Sequence, residues 1–235
     1  MHRFLVKSQI GGLVEVTKKR QLHQFMKVLR LKKWDYVTIF NWMDDCDYRF
    51  LIKETSKNRM ILEKKEIIKK IEIRWPKLNL FQAIPNTYEK IKYILEKGTE
   101  VGVSNFFFFR SERSQKLNIS DAKKDRFLKI IEETVEMSNR NTIPSLCFGS
   151  LPLQGWYEKN WINLVLDTKP SKESIYLKDL ELGKLEEVSI FVWPEWGWTD
   201  RELDKLSWKR VYLGPNVFRT ETIGGLVGFY ILYNS

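Results

Sequence analysis

LNLFQAIPNTYEKIKYILEKGTEVGVSNFFFF, residues 78–109, is the stretch on which the fold turns. Residues 78–84 read as a strand. Residues 87–101 read as a helix with Ile91, Ile94 and Leu95 turned inward, and residues 105–109 as a second strand. Four consecutive phenylalanines, Phe106 to Phe109, suit a parallel strand covered on both faces and do not read as a ligand box. Downstream the same rhythm continues. A long helix is expected over residues 121–139, with Phe127, Ile130, Ile131 and Val135 as its core stripe. Strands follow over 161–166, 188–193 and 210–213, and helices over 199–206 and 221–233. Strands alternating with helices predict a parallel sheet that binds ligands at the carboxyl ends of its strands.

Upstream the pattern is different. Short segments rich in Val, Ile, Tyr and Phe, at 3–6, 13–16, 35–40, 47–53, 59–63 and 67–73, predict a small β-domain. A helical stretch over 21–31 carries Leu22, Phe25, Met26 and Leu29 on one face. The Arg74-Trp75-Pro76 step ends the strand pattern, which places one domain over 1–74 and a second over 75–235.

The charge balance changes at the same place. Residues 1–75 hold 18 Lys/Arg against 9 Asp/Glu, a net of +9, whereas residues 76–235 hold 22 against 21. The densest run is Lys18, Lys19, Arg20, Lys27, Arg30, Lys32 and Lys33, with no acid before Asp35. Such local clustering favours a polyanion, most often nucleic acid; the alternative is an ordinary solvated face.

Composition narrows the chemistry. With 43% hydrophobic and 14% aromatic residues the chain is not a disordered one. No apolar run approaches 18 residues, so no membrane span is expected, and the N-terminus lacks the features of a signal peptide. Two distant cysteines, Cys46 and Cys147, and two histidines, His2 and His23, make a zinc site or a disulfide scaffold unexpected. The chain reads as cytosolic and metal-free. No GxxxxGK[ST] or GxGxxG occurs, both histidines lie in the basic third and Cys147 has none in its own half, so carboxylates and arginines are the polar machinery of the larger domain. Two strand-to-helix junctions carry Gly and Pro where backbone turns sharply: Trp193-Pro194-Glu195-Trp196-Gly197-Trp198-Thr199-Asp200, and Leu213-Gly214-Pro215-Asn216-Val217-Phe218-Arg219-Thr220-Glu221-Thr222. Thr220 or Thr222 is a candidate cap for the terminal helix.

The second junction is similar to the "LGxxILRxETA" motif of the bacterial small-subunit ribosomal RNA uridine-N3 methyltransferases of the SPOUT (trefoil-knot) superfamily. The resemblance extends over nearly the whole chain. Met1-His2-Arg3-Phe4 resembles the family's opening, and His23 through Val28-Leu29-Arg30 its "HxxxVLR". Lys97-Gly98-Thr99-Glu100-Val101-Gly102-Val103 resembles "KxTELGV", Glu112-Arg113-Ser114 matches "ERS", and Arg126 through Ser138-Asn139-Arg140 with Ile143-Pro144 resembles "R…QSxR…IP". Six motifs in the family's order are far more specific than any one of them. The glycine-rich "GPEGGF" loop departs: Trp193 and Trp196 stand where glycines are expected.

The resemblance implies an α/β chain with an N-terminal PUA-like small β-barrel, binding RNA, and a C-terminal trefoil-knotted SPOUT methyltransferase domain that forms a homodimer. It implies S-adenosyl-L-methionine as cofactor, and methylation of N3 of a uridine in 16S ribosomal RNA of the small ribosomal subunit. Leu166, Glu195, Trp196, Gly197, Leu213, Gly214, Val217 and Phe218 are the implied cofactor contacts. Arg219, Glu221, Glu195 and Arg140 are the candidate catalytic groups: a carboxylate or solvent to take the N3 proton, an arginine to meet developing charge or clamp a phosphate. The bland readings are a helix N-terminal carboxylate for Glu221 and an ion pair for Arg140. The RNA contacts would be Arg3, Lys18, Lys19, Arg20, His23, Lys27, Arg30, Lys32 and Arg113. Trp193 and Trp196 raise the alternative of a catalytically degenerate RNA-binding protein that keeps the fold. A third reading is a methyltransferase of another RNA.

Overall fold

Alternation of period two produces the first sheet. Strands β1 (Arg3–Leu5), β2 (Leu13–Val16), β3 (Tyr36–Phe40), β4 (Cys46–Thr55) and β5 (Met60–Lys69) lie in the order β1-β3-β4-β5-β2, antiparallel except for the β1–β3 pair. Register shifts at Arg49/Phe50 and Ile52/Glu54 add bulges to the long β4–β5 ladder, and bulges bend a strand. The sheet curls into a half-barrel around Val37, Ile39, Phe50, Ile52, Met60 and Leu62. Phe4 and Phe25 meet edge to face in the same core, ring centroids 4.2 Å apart. This computed structural model describes residues 3–70, 75–115, 117–151, 161–183, 185–206 and 208–234. The half-barrel belongs to a unit comprising Met1–Ile73 and Val135–Thr142; Arg74–Thr134 with Ile143–Ser235 make up the other.

Two expectations for the first unit are corrected. The separate strands over 59–63 and 67–73 are one strand, because Lys64, Lys65 and Glu66 hold no turn-forming residue and continue the ladder. The helix over 21–31 is instead α1 (Lys19–His23) followed by a π-helical turn over Gln24–Val28, closed by Arg30 at φ 53°. Met1, His2, residues 71–73 and Arg74 lie outside the described residues.

The second unit holds β6 (Lys77–Ala83), α2 (Tyr88–Val101), β7 (Asn105–Arg110), β8 (Ser145–Ser150), β9 (Trp161–Asp167), β10 (Ile175–Tyr176), β11 (Glu187–Val192), α4 (Asp200–Lys205), β12 (Lys209–Tyr212) and α5 (Thr220–Asn234). Helix α3 (Asp121–Met137) begins here and ends in the first unit. The strands lie in the order β10-β12-β9-β11-β6-β7-β8, every pairing parallel. β11 lies between β6 and β9, and β12 between β9 and β10, so late strands separate earlier ones. Every residue of β11 is buried, and in β7 Phe106, Phe108 and Phe109 are buried, as a strand covered on both faces requires. Thr87 caps α2 through its side chain. Short β8 and β10 were not expected from the sequence: neither is a continuous apolar run.

Candidate active site

At the carboxyl ends of the parallel strands, the loops after β9 and β11 and the turn before α5 enclose a cleft of about 520 Å³. The loop after β9 gives it Asp167, Thr168 and Lys169; the loop after β11 gives Trp193 and Glu195 through Trp198; the turn into α5 gives Val217 through Glu221. Lys90 enters from α2, and its ammonium lies 3.0 Å from Glu195 Oε1 and 3.9 Å from Glu221 Oε2. Glu195 Oε1 also accepts the Asn86 N–H at 2.8 Å. Glu195 Oε2 is buried and has no partner among the described residues. Arg219 stands 3.9 Å from Glu221 Oε1 with its side chain 84% exposed. Two carboxylates and two cations thus share one wall, one cation half-buried between the carboxylates and the other on the solvent side.

The loop after β11 is braced from several sides. The Trp198 indole N–H donates to the Leu166 carbonyl at 2.8 Å and its ring stacks on Phe109. Thr220 donates its hydroxyl proton to the Trp193 carbonyl and accepts from Gln82 Nε2 at 2.8 Å, which ties the α5 start to β6 and to the end of β11. Thr199 and Glu202 form a reciprocal capping box at the start of α4. Glu202 is 4% exposed, and its Oε1 also accepts the Ser111 hydroxyl at 2.6 Å and the Glu112 N–H at 3.0 Å. Burial alone would raise the Glu202 carboxyl. The hydrogen bonds from Ser111, Thr199 and Glu112 outweigh it and lower the pKa. Arg113 completes the brace by donating to the Trp196 and Trp198 carbonyls at 2.9 and 3.1 Å.

Of the cofactor and catalytic candidates, Glu195, Trp196, Gly197, Val217, Phe218, Arg219 and Glu221 line this cleft. Leu166, Leu213 and Gly214 do not; the Leu166 carbonyl receives Trp198, and Gly214 turns the chain at φ +112°. Arg140 lies in the first unit, where burial pushes its guanidinium down to about 10, so it remains a cation at neutral pH. Arg113, an RNA candidate by sequence, is engaged with the cleft loop. Trp193 is 3% exposed and Trp196 72% exposed, and both line the cleft; Gly197, at φ +73°, has nothing within 4 Å of where a Cβ would stand. Sequence reasoning missed Lys90, Asp167, Thr168, Lys169 and the Glu202 brace. The capping-box spacing Thr199-x-x-Glu202 was a readable signal for the last.

In the first unit, Lys18, Lys19, Arg20, His23, Lys27, Arg30 and Lys32 are all exposed. Lys19, His23 and Lys27 form one wall of a groove whose other wall is the Thr55–Asn58 turn, carrying Lys57, and no acid among the described residues lines it. Arg3 is not part of this face. Its guanidinium is buried, 3.0 Å from Asp47, and donates to the Val135 carbonyl and to Asn141.

A family model described as an RNA methyltransferase domain matches residues 73–227. The ribosomal RNA small subunit methyltransferase E of Buchnera aphidicola (Acyrthosiphon pisum) is 29% identical over 85% of this chain and 80% of its own. The protein of the same name from Aquifex aeolicus is 30% identical over 67% of this chain and 69% of its own. In structure, the ribosomal RNA small subunit methyltransferase E of Neisseria gonorrhoeae, crystallised with S-adenosyl methionine, superposes with a TM-score of 0.84 over 100% of this chain and 98% of that one, at 20% identity. At that identity the likeness carries the fold, and it covers both units. The matched family model spans the whole cleft, from Lys90 to Glu221, and on that match the chain belongs to the RNA methyltransferase family.

Proposed function

We propose that this chain transfers a methyl group from S-adenosyl-L-methionine to N3 of a uridine in 16S ribosomal RNA of the small ribosomal subunit. The observation that carries the reading is the cleft at the strand ends, where both motif loops meet around Glu195, Lys90 and Glu221. The residues fit such a donor. The volume of about 520 Å³ lies within the usual ~300–1,000 Å³ of small-molecule sites. The buried Glu195 Oε2 is an acceptor that a ligand amine or hydroxyl would satisfy. Gly197, Trp198, Val217 and Phe218 would hold the group, which when bound supplies an electrophilic methyl on a sulfonium.

The chain's own contribution is positioning and charge. Uracil N3 must lose a proton, and Glu195 and Glu221, with Lys90 between them, are the candidate acceptors among the cleft's carboxylates, which also include Asp167 and Asp200. Arg219 reaches from the solvent side to meet charge developing on the base or an adjacent phosphate. Arg140, in the first unit, whose Nη2 donates to Thr142 Oγ1 at 3.2 Å, is the further candidate for a phosphate contact. Arg113 holds the loop carbonyls at the cleft. The exposed cations of residues 18–32 and the groove beside Lys57 track the RNA backbone.

The reading includes a PUA-like RNA-binding domain over 1–74, a trefoil-knotted SPOUT domain over 75–235, a homodimer and a cytoplasmic location. The insertion of β11 and β12 between earlier strands supports the knot. The outer face of α5, where Leu226, Phe229 and Tyr233 are exposed, supports the dimer, since such a contiguous apolar face suits a partner surface. No helix among the described residues is long and apolar enough to cross a membrane. The test is incubation of the protein with small subunits and methyl-labelled donor, followed by mass mapping of the RNA. One methyl on N3 of a uridine is expected, and the blocked pairing edge should stop reverse transcription there. Label on a ribose oxygen or on another base would refute the assignment.

A further inference from the structure

A bulky side chain is rare in the left-handed backbone region, yet Trp34 sits there at φ +77°. The conformation is pinned from both sides. The Trp34 N–H donates to the Ile52 carbonyl at 2.8 Å, and the Ile52 N–H donates to the Asp35 carbonyl at 2.9 Å. Asp35 Oδ2 accepts the Lys32 N–H at 2.7 Å. Glycine or asparagine would occupy this turn with less strain. The indole contributes little to the core: it is 62% exposed, and the Lys33 ammonium lies over one of its faces, 4.7 Å from the ring centroid. A single exposed apolar residue needs no explanation by itself. An exposed indole on a strained, over-determined backbone does, because strain of this kind clusters at ligand sites and switch regions.

The surroundings indicate which ligand. Trp34 closes the cationic run that begins at Lys18, in the part of the chain with a net charge of +9. Two residues on, Tyr36 is 47% exposed with the Arg49 guanidinium 4.5 Å above its ring. Aromatic faces beside cations are the elements of single-strand recognition: the cations hold phosphates and the rings stack on bases of any sequence. A duplex hides its base faces and offers an indole nothing to stack on. The geometry points to Trp34 as a base-stacking platform for a single-stranded segment of RNA, beside the cations that hold its phosphates. This rests on the RNA substrate proposed above and on none of its methyl-donor chemistry.

Stacking neutralises no phosphate and releases no counterion, which makes the test specific. Binding of a short fluorescein-labelled oligouridylate, without cofactor, is measured by anisotropy over a salt series for the parent, Trp34→Gly and Trp34→Phe. The glycine variant should bind about tenfold more weakly at every salt concentration with an unchanged salt slope. Its thermal midpoint should equal or exceed the parent's, because the turn is relieved. Phenylalanine should recover most of the affinity. Parental affinity in the glycine variant, no recovery with phenylalanine, or a lowered midpoint in the glycine variant would each overturn the inference. Calorimetry with S-adenosyl-L-methionine on the same proteins keeps the two readings apart: failure of the parent to bind it refutes the methyl-transfer reading and leaves the anisotropy result standing.

Discussion

In the first unit, Lys18, Lys19, Lys27, Arg30 and Lys32 stand exposed with no ion-pair partner among the described residues. In the second, Lys90 lies within 4 Å of both Glu195 and Glu221 on the wall of a cleft. The first arrangement acts at a distance and is screened by salt; the second acts at contact and is screened much less. The difference fits the two tasks of the proposed function. A long polyanion is collected by many unpaired cations, each neutralising one phosphate. A small reactive centre is held by few groups whose positions are fixed by their neighbours.

The largest effect is expected at Glu202, whose carboxylate closes the brace between the turn after β7 and the start of α4. Glu202→Ala leaves the Glu112 and Thr199 N–H groups without their acceptor and should cost about 3 kcal/mol in urea unfolding. The parent should also lose stability in acid. The folded carboxyl titrates below its unfolded value, so its contribution is complete above the unfolded range and is lost as pH falls through the lowered folded value. Glu202→Gln removes that acid-dependent step, which a pH series of unfolding curves would detect.

Next in size is the triple replacement of Lys27, Arg30 and Lys32 by glutamine. RNA affinity should fall broadly, and the salt slope should flatten by about one unit for each phosphate no longer neutralised. Parallel slopes for parent and variant in filter binding would make these cations a solvated face only. Cofactor affinity should not change.

Arg113→Met tests the opposite side of the comparison. If Arg113 serves the cleft loop, the variant should bind S-adenosyl-L-methionine about tenfold more weakly, because two charge-assisted hydrogen bonds to the loop are gone, and keep the parent's RNA salt slope. A flattened slope with full cofactor affinity would return it to the RNA face. The smallest effect belongs to Trp196→Gly. Its indole is 72% exposed, so cofactor affinity should move by less than about twofold in equilibrium dialysis.

Local order was legible where side chains repeat. Ile91, Ile94 and Leu95 marked one face of α2, and Phe106 to Phe109 marked a strand buried on both sides. The sheet order was not, since β11 and β12 enter between strands that precede them by many residues, and no local pattern encodes a neighbour so distant. β5 reads as two strands because three charged residues resemble a loop until the ladder beside them is seen. In the cleft the motif loops were readable, but Lys90 meets Glu195 across 105 positions of chain, and Asp167 looks like any strand-end acid. Arg3 shows the converse: a cation in a basic segment whose charge is neutralised inside the unit by Asp47.

The most direct test of the account is calorimetric titration of S-adenosyl-L-methionine into the purified protein, with Glu195→Leu alongside. Saturable binding at one site per chain is expected in the parent. Much weaker binding is expected in the variant, which lacks the buried acceptor Oε2 and leaves Lys90 with only the more distant Glu221. No heat of binding in the folded parent, or equal affinity in both proteins, would contradict it.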